Sequence, residues 1–157
     1  MDGIENIREF LQELLKKSNF LEIEVKDKFE VLKTLVEDAK LDEYLKDKKE
    51  FLKKLIERER LISTGIGYKV AVPHAHSEEV KDYFIILGYS KEGVDFDSID
   101  GLPVHLFILI GTPGQDPKRK TYLKILSEIS RMIKNTKDVS TLDSKERIIQ
   151  VFSESGK

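Results

Sequence analysis

The chain is predicted to fold as one three-layer α/β unit spanning residues 1–157, with a mixed β-sheet flanked by helices on both sides. Three observations predict it. Two apolar runs of strand length, Asp82–Tyr89 and Val104–Ile110, are hydrophobic enough to lie inside a sheet covered on both faces. Before and after them, apolar residues recur at the spacing of amphipathic helices. The 157 residues contain no internal repeat, low-complexity linker or compositional break that would mark a second unit.

The elements follow in order. Ile4, Ile7, Phe10, Leu11, Leu14 and Leu15 share one helical face, giving an N-terminal helix at about 4–17. Phe20–Val25 alternates apolar and charged residues, the pattern of a half-buried strand. Asp27 is placed to cap a helix carrying Phe29, Leu32, Leu35 and Val36, and a further helix over roughly 46–60 carries Phe51, Leu52, Leu55 and Ile56. A glycine turn at Gly65–Gly67 precedes a short strand, Val70–Val72, which Pro73 cuts off. Between the two long strands, Val94–Asp100 reads as a loop, and the segment 111–117 is dense in turn formers. Two C-terminal helices close the chain, one with Tyr122, Leu123, Ile125, Leu126, Ile129 and Ile133, the other with Ile148, Ile149 and Phe152.

Composition excludes several functions. A net charge of -2 argues against nucleic-acid binding, which calls for a basic excess. With no cysteine there is no disulfide, thiolate metal site or cysteine nucleophile. No apolar run approaches the ~20 residues of a membrane helix, and the acidic N-terminus lacks a signal-peptide layout. The expectation is a cytoplasmic protein with no membrane insertion and no cofactor.

Two of the chain's three histidines fall in Ser63–His76, beside Pro73. Proline fixes its own φ and biases the preceding residue to extended geometry, so the direction in which His74 leaves the backbone is set. An imidazole nitrogen can attack phosphorus and pass the phosphoryl group on, provided its other nitrogen is held by a hydrogen bond. Such a site needs donors around the phosphoryl oxygens. Arg58, Ser63, Thr64 and the amides of Gly65 and Gly67 are near enough in sequence to supply them, although the glycine pair alone is equally a structural turn. Lys69 is either solvated or an added positive charge. His76, two residues on, is expected on the opposite face of an extended segment, as a solvated loop histidine or a metal ligand. His105 is either a core histidine or a group that orients His74.

The segment Arg58-x4-Ser63-Thr-Gly-Ile-Gly67 followed by Ala71-Val-Pro-His74 resembles the phosphorylation-site motif of the fructose/mannitol-type enzyme IIA domain. This domain belongs to the phosphoenolpyruvate:sugar phosphotransferase system (PTS), and its nitrogen-regulatory relatives share the motif. The resemblance continues through Val94-Asp-Phe-Asp, Asp100-Gly-Leu-Pro-Val104 and Leu123-Lys-Ile-Leu126, covering the chain from about residue 20. It implies that His74 is phosphorylated by an HPr-like phosphocarrier, with Arg58, Ser63 and Thr64 lining the site. It implies a downstream enzyme IIB, on a separate polypeptide because this chain has no acceptor cysteine, or a regulatory target protein. The absence of a fused IIB or membrane part favours the nitrogen-regulatory role over sugar transport. Two positions depart from the family pattern: Tyr122 stands where a second histidine is common, and Lys69 where a glycine is common. The alternative is a metal-dependent hydrolase built on His74, His76 and His105.

Overall fold

The computed structural model describes residues 6–114 and 120–154. Its elements are α1 (Ile7–Lys17), β1 (Asn19–Glu22), α2 (Lys28–Asp38), α3 (Lys48–Leu61), β2 (Gly65–Gly67), β3 (Val70–Ala71), β4 (His74–Ser77), β5 (Phe84–Val94), β6 (Val104–Pro113), α4 (Lys120–Lys134) and α5 (Lys145–Glu154). All six strands form one mixed sheet in the order β1-β5-β6-β3-β2, with β4 also paired to β6. The pair β5–β6 is antiparallel, whereas β1–β5, β3–β6 and β4–β6 are parallel.

The two central strands bury both faces, as their unbroken hydrophobicity requires. Phe84 and Ile86 of β5 and Phe107 and Leu109 of β6 join a core with α2 and α3, including Leu32, Leu35, Phe51 and Leu55. The intervening Ile85, Leu87, Leu106, Ile108 and Ile110 join a second core with Leu11 and Leu15 of α1, Ile125 and Ile129 of α4 and Phe152 of α5. Side chains alternate across a strand, so one sequence run serves both layers. Helix starts are capped by side chains: Asn6 accepts from the Glu9 amide, Asp27 from Phe29 and Glu30, and Asp47 from Lys49 and Glu50.

Some boundaries differ from expectation. The long strands extend to Val94 and Pro113, so Gly111–Pro113 is strand and not turn; positions 115–117 of that segment lie outside the described residues, as do residues 4 and 5 of the N-terminal helix. The glycine segment is itself the short strand β2, paired antiparallel with β3. The reversal falls instead at Tyr68 and Lys69, whose φ angles of 58° and 67° are both left-handed. Positive φ at two successive residues is what a two-residue hairpin loop requires. A glycine at position 69 would adopt it without a Cβ penalty. Gly65 is needed for another reason: a Cβ there would stand 2.2 Å from Ser98 Oγ.

Candidate active site

His74 opens β4, which continues beyond Pro73 along the same edge of β6 that β3 occupies. Val70 and Ala71 pair with Leu106 and Phe107, and His74 through Ser77 pair with Ile110 through Pro113. The proline carbonyl still accepts from the Ile110 amide at 2.9 Å, so the break in pairing is local. His74 Nδ1 lies 2.8 Å from the Val72 carbonyl. A carbonyl only accepts, so Nδ1 carries the proton and Nε2 of the neutral ring carries the lone pair.

The surroundings of the ring come from three elements. Arg58, in the last turn of α3, borders an open depression together with His74, Ala75 and His76. Its Nη1 donates to the Ile62 carbonyl at 2.7 Å, a helix C-cap bond that ties the guanidinium beside β4. Tyr122 of α4, 3% exposed, sets its ring 5.2 Å from that of His74 and 6.3 Å from that of His76, centroid to centroid. The residue at the family's second-histidine position therefore packs against both imidazoles.

His76 is not in a loop, and it does not face away from His74. Both lie on β4, whose burial alternates, and a strand returns to the same face every second residue. His76 Nδ1 lies 2.9 Å from Oγ1 of its cross-strand partner Thr112. His105 belongs elsewhere. It sits five residues along β6 from Ile110, the register partner of His74, or about 17 Å at strand rise. Its Nδ1 meets the Ser90 carbonyl at 2.8 Å. It therefore neither orients His74 nor completes a triad with His74 and His76. Among the described residues no group of three His, Cys, Asp or Glu is gathered as a metal site would require.

The Ser63 and Thr64 hydroxyls point into the fold. Ser63 Oγ donates to the Phe96 carbonyl and accepts from the Gly65 amide at 3.0 Å. Thr64, 4% exposed, gives both its amide and its hydroxyl to the carboxylate of Glu59, the amide at 2.8 Å. Lys28 Nζ meets that carboxylate at 3.1 Å, with both partners nearly buried. Thr64 in turn accepts from the Val72 amide at 2.9 Å, and Val72 is the residue that holds His74. A ladder of contacts thus runs from Lys28 and Glu59 through Thr64 and Val72 to the imidazole. Glu59 escaped the reading of the sequence. It follows Phe51 and Leu55 at helical spacing, so a charge on the core-facing stripe was the available signal. Lys69 Nζ is paired with Asp138 at 3.3 Å.

The family model for the phosphoenolpyruvate-dependent sugar phosphotransferase system, EIIA 2, matches residues 12–155. The chain belongs to this family. It is 34% identical to the PTS system fructose-specific EIIABC component of Bacillus subtilis (strain 168), over 94% of this chain and 24% of that protein. It is 33% identical to the PTS system fructose-like EIIA component of Escherichia coli (strain K12), over 72% of this chain and 75% of that one. Among solved structures, nitrogen regulatory protein IIA-Ntr from Neisseria meningitidis superposes with a TM-score of 0.72 at 25% identity, covering 91% of this chain and 99% of that one. The open mixed sheet between helices is the fold of this EIIA family, whose members are phosphotransferase components. The chain spans about a quarter of the Bacillus relative's length. No helix among its described residues is long and apolar enough to cross a membrane.

Proposed function

We propose that this EIIA-family chain, acting as one unit over residues 1–157 in the cytoplasm, is a phosphocarrier that accepts a phosphoryl group on Nε2 of His74. The donor is the phosphohistidine of an HPr-like carrier protein. The observation that carries the reading is the Val72 carbonyl on His74 Nδ1, which puts the lone pair on Nε2 of a residue that borders the same depression as Arg58. In the transfer, the donor's N–P bond breaks as the Nε2–P bond forms, and the donor imidazole recovers its lone pair. The proton stays on Nδ1 throughout, donated to the Val72 carbonyl. Phosphoryl transfer is mostly positioning and charge stabilisation, and Arg58 has N–H groups beyond the one given to Ile62 to offer the phosphoryl oxygens. Ser63, Thr64, Gly65 and Gly67 contribute by shaping the backbone that holds Val72. Tyr122 supports the ring from the side.

The phosphoryl group then passes to a downstream protein or serves as a signal. The match to a nitrogen regulatory protein over nearly its whole length supports the signalling use. The similarity to fructose-specific components supports delivery to an enzyme IIB cysteine as the second reading. The test is incubation with phosphoenolpyruvate, enzyme I and carrier protein. An acid-labile phosphate that His74→Ala abolishes is the expected result, and label that survives in His74→Ala would overturn the proposal. Adding enzyme IIB proteins separates the two uses: rapid loss of label marks delivery, and a stable label with altered partner binding marks regulation.

A further inference from the structure

His74 and His76 differ in what holds their Nδ1 atoms, and the difference sets what each Nε2 can do. The Val72 carbonyl accepts and cannot donate, so neutral His74 is confined to the tautomer with no proton on Nε2. The Thr112 hydroxyl does both. It can accept from an Nδ1–H, or turn its own proton toward a bare Nδ1, 2.9 Å away. The same hydroxyl lies 3.5 Å from the Ala75 carbonyl, a second direction for that proton. Neutral or protonated, His76 can therefore keep a proton on Nε2. One ring is confined to the nucleophile's tautomer, and its neighbour is left able to take the donor's.

Their placement brings the two functions together. The residues stand two apart on one strand, about 6.6 Å along its axis, with side chains on the same face. Both rings pack on Tyr122, and both border the depression that Arg58 shares. Thr112 is fully buried on the central strand, so the His76 anchor is as fixed as the sheet.

We propose that His76 is a catalytic residue of the phosphoryl transfer: its Nε2–H donates to an oxygen of the phosphoryl group as that group moves onto His74, opposite the charge supplied by Arg58. The inference rests on phosphoryl acceptance at His74. No bond to His76 forms or breaks, and its proton stays on its own ring. The groups around it are Arg58 from α3, Tyr122 from α4, Thr112 from β6 and His74 on its own strand.

The test uses phosphoramidate, a small donor that removes protein docking from the measurement, with formation of phosphohistidine followed by 31P NMR. Wild type, His74→Ala, His76→Ala, His76→Gln and His105→Ala are compared. Loss of one charge-assisted hydrogen bond to the moving group predicts phosphorylation of His76→Ala slowed about tenfold or more. His76→Gln, which keeps an N–H donor, recovers part of the rate, and His105→Ala matches wild type. In 15N spectra of the phosphorylated protein, the His76 Nε2–H signal shifts from its position in the unphosphorylated protein. A wild-type rate in both His76 variants, or an unmoved His76 Nε2 signal, overturns the proposal. Equal slowing in His76→Ala and His105→Ala also overturns it, since both would then act through general loss of structure. Failure of wild type to take up phosphate, or label retained in His74→Ala, instead overturns the phosphocarrier reading itself.

Discussion

One carboxylate, that of Glu59, holds both the amide and the hydroxyl of Thr64, and Lys28 Nζ lies 3.1 Å from the oxygen that accepts the amide. Both charged partners are nearly buried, and Lys28 has a second carboxylate, the exposed Asp97, at 3.5 Å. Removing one member of a buried pair leaves an uncompensated charge, which typically costs about 3–5 kcal/mol. Glu59→Ala is expected to lower unfolding stability by about 3 kcal/mol, read by urea denaturation. Lys28→Met combined with Glu59→Leu should restore only part of it, because the apolar replacements match the pair but leave the Thr64 amide and hydroxyl without their acceptor. A Glu59→Ala midpoint equal to wild type would show that the pair does not hold the start of β2.

Gly65 is held to glycine by space. Its missing Cβ would meet Ser98 Oγ at 2.2 Å and the Cα and Cβ of the same residue at 3.1 Å. Gly65→Ala should therefore destabilise the protein by about 1–3 kcal/mol, the usual cost of overpacking. Adding Ser98→Ala removes the worst contact and should return part of the loss in a double-mutant cycle. Strict additivity of the two changes would mean that this contact is not the reason for the glycine.

What was legible in the sequence was what burial writes strongly. Phe84–Leu87 and Leu106–Ile110 are apolar on both faces because each strand feeds two cores, and no exposed element has that pattern. Asp27 and its helix were legible for the same local reason, a side-chain cap ahead of an apolar stripe. The strands β2 and β4 were not. They are three and four residues long, broken by glycine and bounded by proline, too short for a period of two to stand out. His76 was set apart from His74 by assigning residues two apart to opposite faces, whereas an extended segment returns to the same face at every second residue. Pairing with β6 supplied the register, and register is tertiary information that residues 74–77 do not contain alone.

Tyr68 occupies a left-handed position, φ 58°, with half its surface exposed. A bulky residue there carries strain that asparagine bears more easily, since its short side chain visits this region readily. The Tyr68 amide donates to Asp100 Oδ2 at 3.0 Å, a bond that any residue but proline keeps. Tyr68→Asn is expected to raise stability by about 0.5–1 kcal/mol, as turn optimisation commonly does. A lower thermal midpoint would show that the exposed ring contributes more than the backbone strain costs.

Asp138 links the hairpin loop to the helical layer, and its charge gives the fold an acid-sensitive contact. Hydrogen bonds from the Ser140 hydroxyl and amide, then the Lys69 ammonium, bring its pKa down to about 2 from the ordinary 3.8. In the pH range between these values the unfolded chain binds more protons at this site than the folded one. The contribution is thus fully present above the unfolded value and is lost as pH falls through the folded one. Asp138→Asn keeps an oxygen for the Ser140 amide but removes the charge facing Lys69. The variant should be less stable than wild type at pH 6, with the difference shrinking steadily between about pH 4 and pH 2. Glu128, lowered chiefly by its hydrogen bond from Arg131, titrates equally in both proteins and cancels from that difference. Urea midpoints for the pair at pH 6, 4, 3 and 2.5 make the measurement, and a gap that stays constant as the solution is acidified would mean that the Asp138 charge does not stabilise the fold.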